Sequence, residues 1–112
     1  ATRPDEEGRV VITIEYHIDP GRAEAFKRVM EETRRVRLSQ GAIEWALLHH
    51  VGEPSRYVEQ ILDESWTEHL RRFGRATAAD ITLRERRVAF HLGEAGTFEE
   101  IFVLGHRYIV QR

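Results

Sequence analysis

The sequence contains no cysteine. That removes disulfides, zinc–thiolate centres and thiol nucleophiles together, and frees the fold from any oxidising compartment. No apolar run approaches the roughly 18 residues that would cross a bilayer, and no basic-then-apolar leader opens the chain. Charge of one sign is missing too. Lys+Arg is 17 and Asp+Glu is 19, a formal net charge of −2, which argues against a dedicated nucleic-acid binder. There is no glycine-rich phosphate loop, no G-x-S-x-G elbow and no HExxH pair. Lysine is nearly absent, since 16 of the 17 basic residues are arginine; a GC-rich genome explains that skew without a physical requirement.

What is present is 112 residues, the length of one domain. A chain of this size buries roughly two thirds of its unfolded surface. The 41% hydrophobic and 32% charged content excludes disorder, collagen and a coiled-coil rod. Residues 1–9 (ATRPDEEGR) are polar, with Pro4 and Gly8, and read as a loose lead-in or the end of a linker. The chain opens Ala1-Thr2-Arg3 without methionine, so it reads as a trimmed or excised piece. The single domain is expected over 10–112.

Val10 to Ile18 is β-branched and half alternating, a first strand. Asp19-Pro20 opens a helix: aspartate caps free amides, and proline suits the first helical position because its missing N–H would be unpaired anyway. Ala23, Phe26, Met30 and Thr33 recur at helical steps to about Gln40, and Gly41 tolerates the left-handed cap. Ala42 to Val51 and Tyr57 to Asp63 read as strands two and three, paired through the Gly52–Ser55 turn. Ser65-Trp66-Thr67-Glu68 is a capping box. It predicts a helix with Trp66, His69, Leu70 and Phe73 on one face. Gly74 weakens that helix, and Thr77-Ala78-Ala79-Asp80 starts another, with Ile81, Val88 and Leu92 inward. Thr97 to Tyr108 is the fourth strand.

The order is β-α-β-β-α-β with a split second helical segment, an α+β ferredoxin-like arrangement. Such a sheet carries helices on one face only. Here both faces carry apolar residues: Ile43, Trp45 and Leu47 against Ala46 and Leu48 on strand two, and Ile12 and Ile14 against Val11 on strand one. Strand four likewise has Phe102 and Leu104 against Ile101 and Val103. A lone subunit would leave a wet apolar patch. The simplest cover is a second copy, sheet to sheet, so a homodimeric α/β barrel is expected.

Of six histidines only His49 and His50 are adjacent, and neighbours on a strand point to opposite faces. No metal site and no cofactor are expected. His69, on the inward helix face beside Trp66, reads either as a cavity histidine able to move a proton or as a buried histidine satisfied by a backbone carbonyl or by Glu59. Tyr57 and Glu59 share a strand face, as pocket lining or as barrel-facing dimer seam. Trp45 is core or interface packing whose indole N–H needs a partner if buried. The candidate ligand pocket is therefore Trp45, Tyr57, Glu59, Trp66 and His69. Three arginine clusters (Arg34-Arg35-Arg37, Arg71-Arg72-Arg75, Arg84-Arg86-Arg87), interleaved with Glu31, Glu32, Glu68 and Glu85, read as solvated, paired helix faces.

Several stretches together carry a resemblance: VVITIEYHIDP at Val10–Pro20, R-R-V-R-L-x-x-G-A at Arg34–Ala42, and R-Y-V-E at Arg56–Glu59. E-S-W-T-E-H-L-R at Glu64–Arg71, A-D-x-x-L-R-E-R at Ala79–Arg86 and F-H-L-G at Phe90–Gly93 complete it. Over about residues 10–104 the chain resembles the soluble C-terminal tail domain of the transmembrane secretion effector (enterobactin-exporter-like) branch of bacterial major facilitator exporters. That tail is similar to the dimeric α/β barrels of antibiotic-biosynthesis monooxygenases. The resemblance implies a non-catalytic cytoplasmic dimerisation or ligand-sensing domain, partnered by the membrane part of a parent transporter and by a small aromatic ligand. It also implies an alternative, a cofactor-independent monooxygenase acting on an aromatic polyketide-like substrate, with Trp66 and His69 as partial counterparts of the pocket tryptophan and histidine. The helix histidine of those enzymes falls near Arg75, and Phe73 stands where members often have a second histidine. Haem binding, as in other barrels of this fold, is a third reading.

Overall fold

A computed structural model describes residues 8–93 and 99–103. The elements are β1 (Val10–His17), α1 (Ala23–Ser39), β2 (Glu44–His49), β3 (Arg56–Asp63), α2 (Trp66–Gly74), α3 (Ala78–Val88) and β4 (Glu99–Val103). The strands form one antiparallel sheet in the order β2-β3-β1-β4. Each helical crossover therefore joins two strands that run the same way with a third between them, the ferredoxin-like α+β topology.

Local chemistry sets the boundaries. The Asp19 carboxylate accepts from Gly21 N at 2.9 Å, and a 3-10 turn over Pro20–Arg22 leads into α1. Gly41 follows α1 at φ +111°, where a side chain would also strike the Arg72 guanidinium. Ser65 Oγ accepts from Glu68 N at 3.1 Å, but the Glu68 carboxylate turns outward to Arg71, so only half of the expected box forms. The complete reciprocal box is at Thr77 and Asp80, opening α3. The fourth strand is shorter than expected within the described residues; 97–98 and 104–108 lie outside them, as do 1–7 of the lead-in.

One sheet face packs under the helices. Val10, Ile12, Tyr16 and Ile18 from the first strand and its continuation bury against Phe26, Val29 and Met30 of α1 and against Tyr57 and Ile61 of β3. β3 alternates without a break: Tyr57, Glu59, Ile61 and Asp63 are buried, and Val58, Gln60 and Leu62 are half-buried on the other face. That other face carries Val11, Ala46, Leu48, Val58 and Leu62, interrupted by Thr13 and Gln60 and bordered by the charged Glu15, Glu44 and Arg56, and no described helix covers it.

Three expectations about helix faces need correction. Leu70 is exposed, whereas Trp66, His69 and Arg72 of α2 are half-buried. On α3, Ile81 is 51% exposed and the inward residues are Leu83 and Arg87. Leu92, just beyond α3, is also exposed, and only Val88 of the expected trio is half-buried. In α2 the polar anchors set the rotation. Asp63 and the Gln40 and Gly41 carbonyls draw Arg72 in, whereas on α3 the aliphatic Leu83 and Arg87 are buried together. Leu70 gains only a non-directional burial energy, so it yields to the hydrogen-bonded His69 and Arg72 on either side of it. The arginine clusters are accordingly not uniform surfaces. Arg34, Arg71 and Arg86 pair with glutamates on the outside, while each cluster sends one member inward: Arg37, Arg72 and Arg87.

Candidate functional site: a cavity between two buried carboxylates

Two carboxylates on one face of β3, Glu59 and Asp63, organise the interior; they are 0% and 2% exposed. Glu59 is met from three elements. The Tyr16 hydroxyl of β1 donates to Oε1 at 2.9 Å, the Trp45 indole N–H of β2 donates to Oε2 at 2.9 Å, and Arg37 of α1 donates from Nε at 2.9 Å and Nη2 at 3.4 Å. Burial by itself raises the pKa of this carboxyl. The charge and hydrogen bonds of Arg37, the Trp45 bond and the charge of Arg87 outweigh it and hold Glu59 below the usual carboxylate range. Burial first, and then the Glu59 charge, push the Tyr16 phenol far above its ordinary value, so it stays protonated and donating.

Asp63 is built differently. Its Oδ1 takes Arg72 Nη1, and its Oδ2 lies 3.1 Å from His69 Nδ1. A carboxylate opposite Nδ1 selects the tautomer with the proton there. Arg72 also donates to the carbonyls of Gln40 and Gly41, tying α2 to the end of α1. Trp66 stacks on His69 with ring centroids 5.3 Å apart and planes 26° apart.

Between these two nodes, under α1 and α3, lies a cavity of about 530 Å³. Its apolar wall includes Ile12, Ile14, Ile61, Val36 and Leu83, and its polar wall includes Arg37, Arg72, Arg87, Asp63 and His69. That volume and mixture suit a small organic molecule. Among the described residues, no group of histidines and acids is placed to hold a metal ion, and no helix is long and apolar enough to cross a membrane.

The five residues singled out from sequence divide into separate groups. Trp45 and Glu59 are hydrogen-bonded to each other, and Trp66 and His69 are stacked. Tyr57 stands apart, packed on Phe26 and stacked at 4.1 Å on His49. Of the five, only His69 lines the cavity itself. The partner of His69 is Asp63, neither a backbone carbonyl nor Glu59. Sequence reasoning missed Tyr16, Asp63 and the three inward arginines. The signals were there. Asp63 continues the alternation Tyr57-Glu59-Ile61, Arg37 extends the stripe Phe26-Met30-Thr33 by four residues, and Arg72 follows Trp66 and His69 at steps of three.

The fold is that of the antibiotic-biosynthesis-monooxygenase class. A protein of Caulobacter crescentus CB15 assigned to that group superposes with a TM-score of 0.74 at 16% identity, covering 90% of this chain and 93% of that one. A second, from Nitrosomonas europaea, gives 0.73 at 14% identity, covering 88% and 91%. The cofactor-independent oxygenase SnoaB of Streptomyces nogalater gives 0.70 at 15% identity, covering 88% and 94%. At such identities the likeness is one of fold. No curated protein matches the sequence. The family is given by the sequence itself: residues 2–104 match the transmembrane secretion effector model, and the chain belongs to that family.

Proposed function

We propose that this chain is a dimerising, ligand-sensing domain of a bacterial exporter, working on the cytoplasmic side of the membrane and performing no chemistry of its own. The observation that carries this reading is a roughly 530 Å³ cavity lined at one end by Tyr16, whose hydroxyl is already committed to Glu59 behind it. Glu59 receives four hydrogen bonds and is stabilised as the anion, so it is a poor base; the Tyr16 proton is held on it, so it is a poor acid. A site that can bind but cannot exchange protons there suits sensing. Family membership supports the link to secretion.

Dimerisation belongs to the same reading. The uncovered sheet face bears Val11, Ala46, Leu48, Val58 and Leu62, and a second copy packed sheet to sheet would cover it. Sedimentation equilibrium is expected to give twice the 13.1 kDa chain mass. The double variant Leu48→Asp, Val58→Asp is expected to sediment as one copy. A wild-type chain that stays single in dilute buffer would remove the barrel.

A second reading is favoured by one observation, the His69–Asp63 pair on the cavity wall with Trp66 stacked against the histidine. In a cofactor-independent oxygenase such a pair would take a proton from an aromatic substrate. Dioxygen would then convert a methylene to a carbonyl, with the second oxygen leaving as water. Oxygen uptake with an anthrone, lost in His69→Ala, selects this reading. No uptake across a panel of anthrones and quinols selects the sensor.

A further inference from the structure

The charges around the cavity do not balance. Arg37 is bound to Glu59, and Arg72 to Asp63. Asp80 is held by the Thr77 amide and the Gln40 side chain. Arg87 is only 8% exposed and lines the cavity, yet among the described residues no carboxylate lies within ion-pair distance of it. Its direct neighbours are the Thr33 hydroxyl at 3.5 Å and the Tyr16 phenol; the Glu59 charge attracts it from further off but is itself bound by Arg37. A guanidinium has five N–H donors, and these two hydroxyls cannot satisfy them. Arg84, one turn before Arg87, stands on the cavity rim and also lacks a carboxylate partner among the described residues. Burial first, and then the like charge of Arg37, disfavour the Arg87 cation by more than Tyr16 and the nearby Glu59 charge favour it. A buried cation left in this state is costly, and the cost is removed when an anion comes to it.

We propose that the cavity takes an amphipathic organic anion, a compact apolar body bearing one acidic oxygen group such as a carboxylate. The oxyanion binds Arg87, Arg84 stands at the rim, and the apolar body lies on Ile12, Ile14 and Leu83. This rests on the ligand-binding reading above and names its ligand class. The resting protein holds the missing half of an ion pair open for its ligand, so the ligand's charge and its apolar bulk are recognised at once.

The test is isothermal titration calorimetry of the full chain with 2-naphthoate and with its neutral isostere 2-naphthamide at low salt. Naphthoate is expected to bind roughly ten- to a hundredfold more tightly, the range for a hydrogen-bonded charge in a partly buried site. Arg87→Met should erase that preference and raise the melting temperature of the empty protein, because a buried cation with no direct carboxylate partner is gone. Arg87→Lys should keep part of the preference, and Arg84→Gln should weaken both probes by only a few fold. Equal binding of the two probes in the wild type, which needs no variant, overturns the anion assignment while leaving a ligand cavity. A preference that survives Arg87→Met overturns the role of Arg87. Binding of neither probe removes the ligand-binding reading together with this one.

Discussion

Glu59 and Asp63 sit four residues apart on the same face of one strand, both closed off from solvent, yet they do different work. Glu59 is clamped from β1, β2 and α1 by groups that belong to the core of the sheet. Asp63 reaches the edge of the helical layer and holds α2 through Arg72 and His69, themselves 13% and 17% exposed. The first carboxylate locks three elements of the scaffold. The second fastens one short helix to it. Saturation makes Glu59 inert, whereas the looser surroundings of Asp63 leave His69 facing the cavity.

The comparison can be broken most severely at Glu59. Glu59→Leu leaves Arg37, Tyr16 and Trp45 without their acceptor inside the core and is expected to cost about 3–5 kcal/mol in urea unfolding, the scale for removing one partner of a buried pair. A loss as small as that of a surface residue would mean that the node is not structural. Arg72→Ala should cost less, about 1.5–3 kcal/mol, because its site is partly wet. Its effect should be local: faster amide exchange in α2 with the strands unchanged, read by hydrogen-exchange mass spectrometry.

Acid sharpens the contrast. The folded-state pKa of Glu59 lies below its ordinary value of 4.5, so its contribution to stability is complete above that value and disappears as pH falls through the folded pKa. Glu59→Gln should therefore flatten the acid limb of a stability–pH curve; an unchanged limb would assign acid sensitivity elsewhere. The smallest effect is expected one residue from Arg72. Arg71 pairs with Glu68 in the open, and Arg71→Ala should leave the unfolding midpoint where it is. Adjacent arginines with opposite outcomes would confirm that position in the helix, not residue type, assigns their roles.

Much of this was legible from pattern alone. Alternation in YVEQILD put Tyr57 and Glu59 on one face, and the buried set is Tyr57, Glu59, Ile61 and Asp63. The caps at Asp19, Gly41 and Thr77 fell where backbone geometry requires them. The split second helix followed from Gly74 and the new start at Thr77. The inward arginines were not legible in the same way. Arg34, Arg35 and Arg37 look alike in a charge count, and only Arg37 finds Glu59, 22 residues further along the chain.

Element order, strand faces and helix ends follow from the sequence itself, because periodicity, caps and turn residues act within a few positions of one another. Which arginines enter the interior, which carboxylate receives them, and that Arg87 lies beside a cavity with no carboxylate among the described residues in direct contact were decided only by the tertiary structure. A buried charge is governed by the partners that packing brings to it from distant elements, and those elements lie too far apart in the chain for local pattern to pair them.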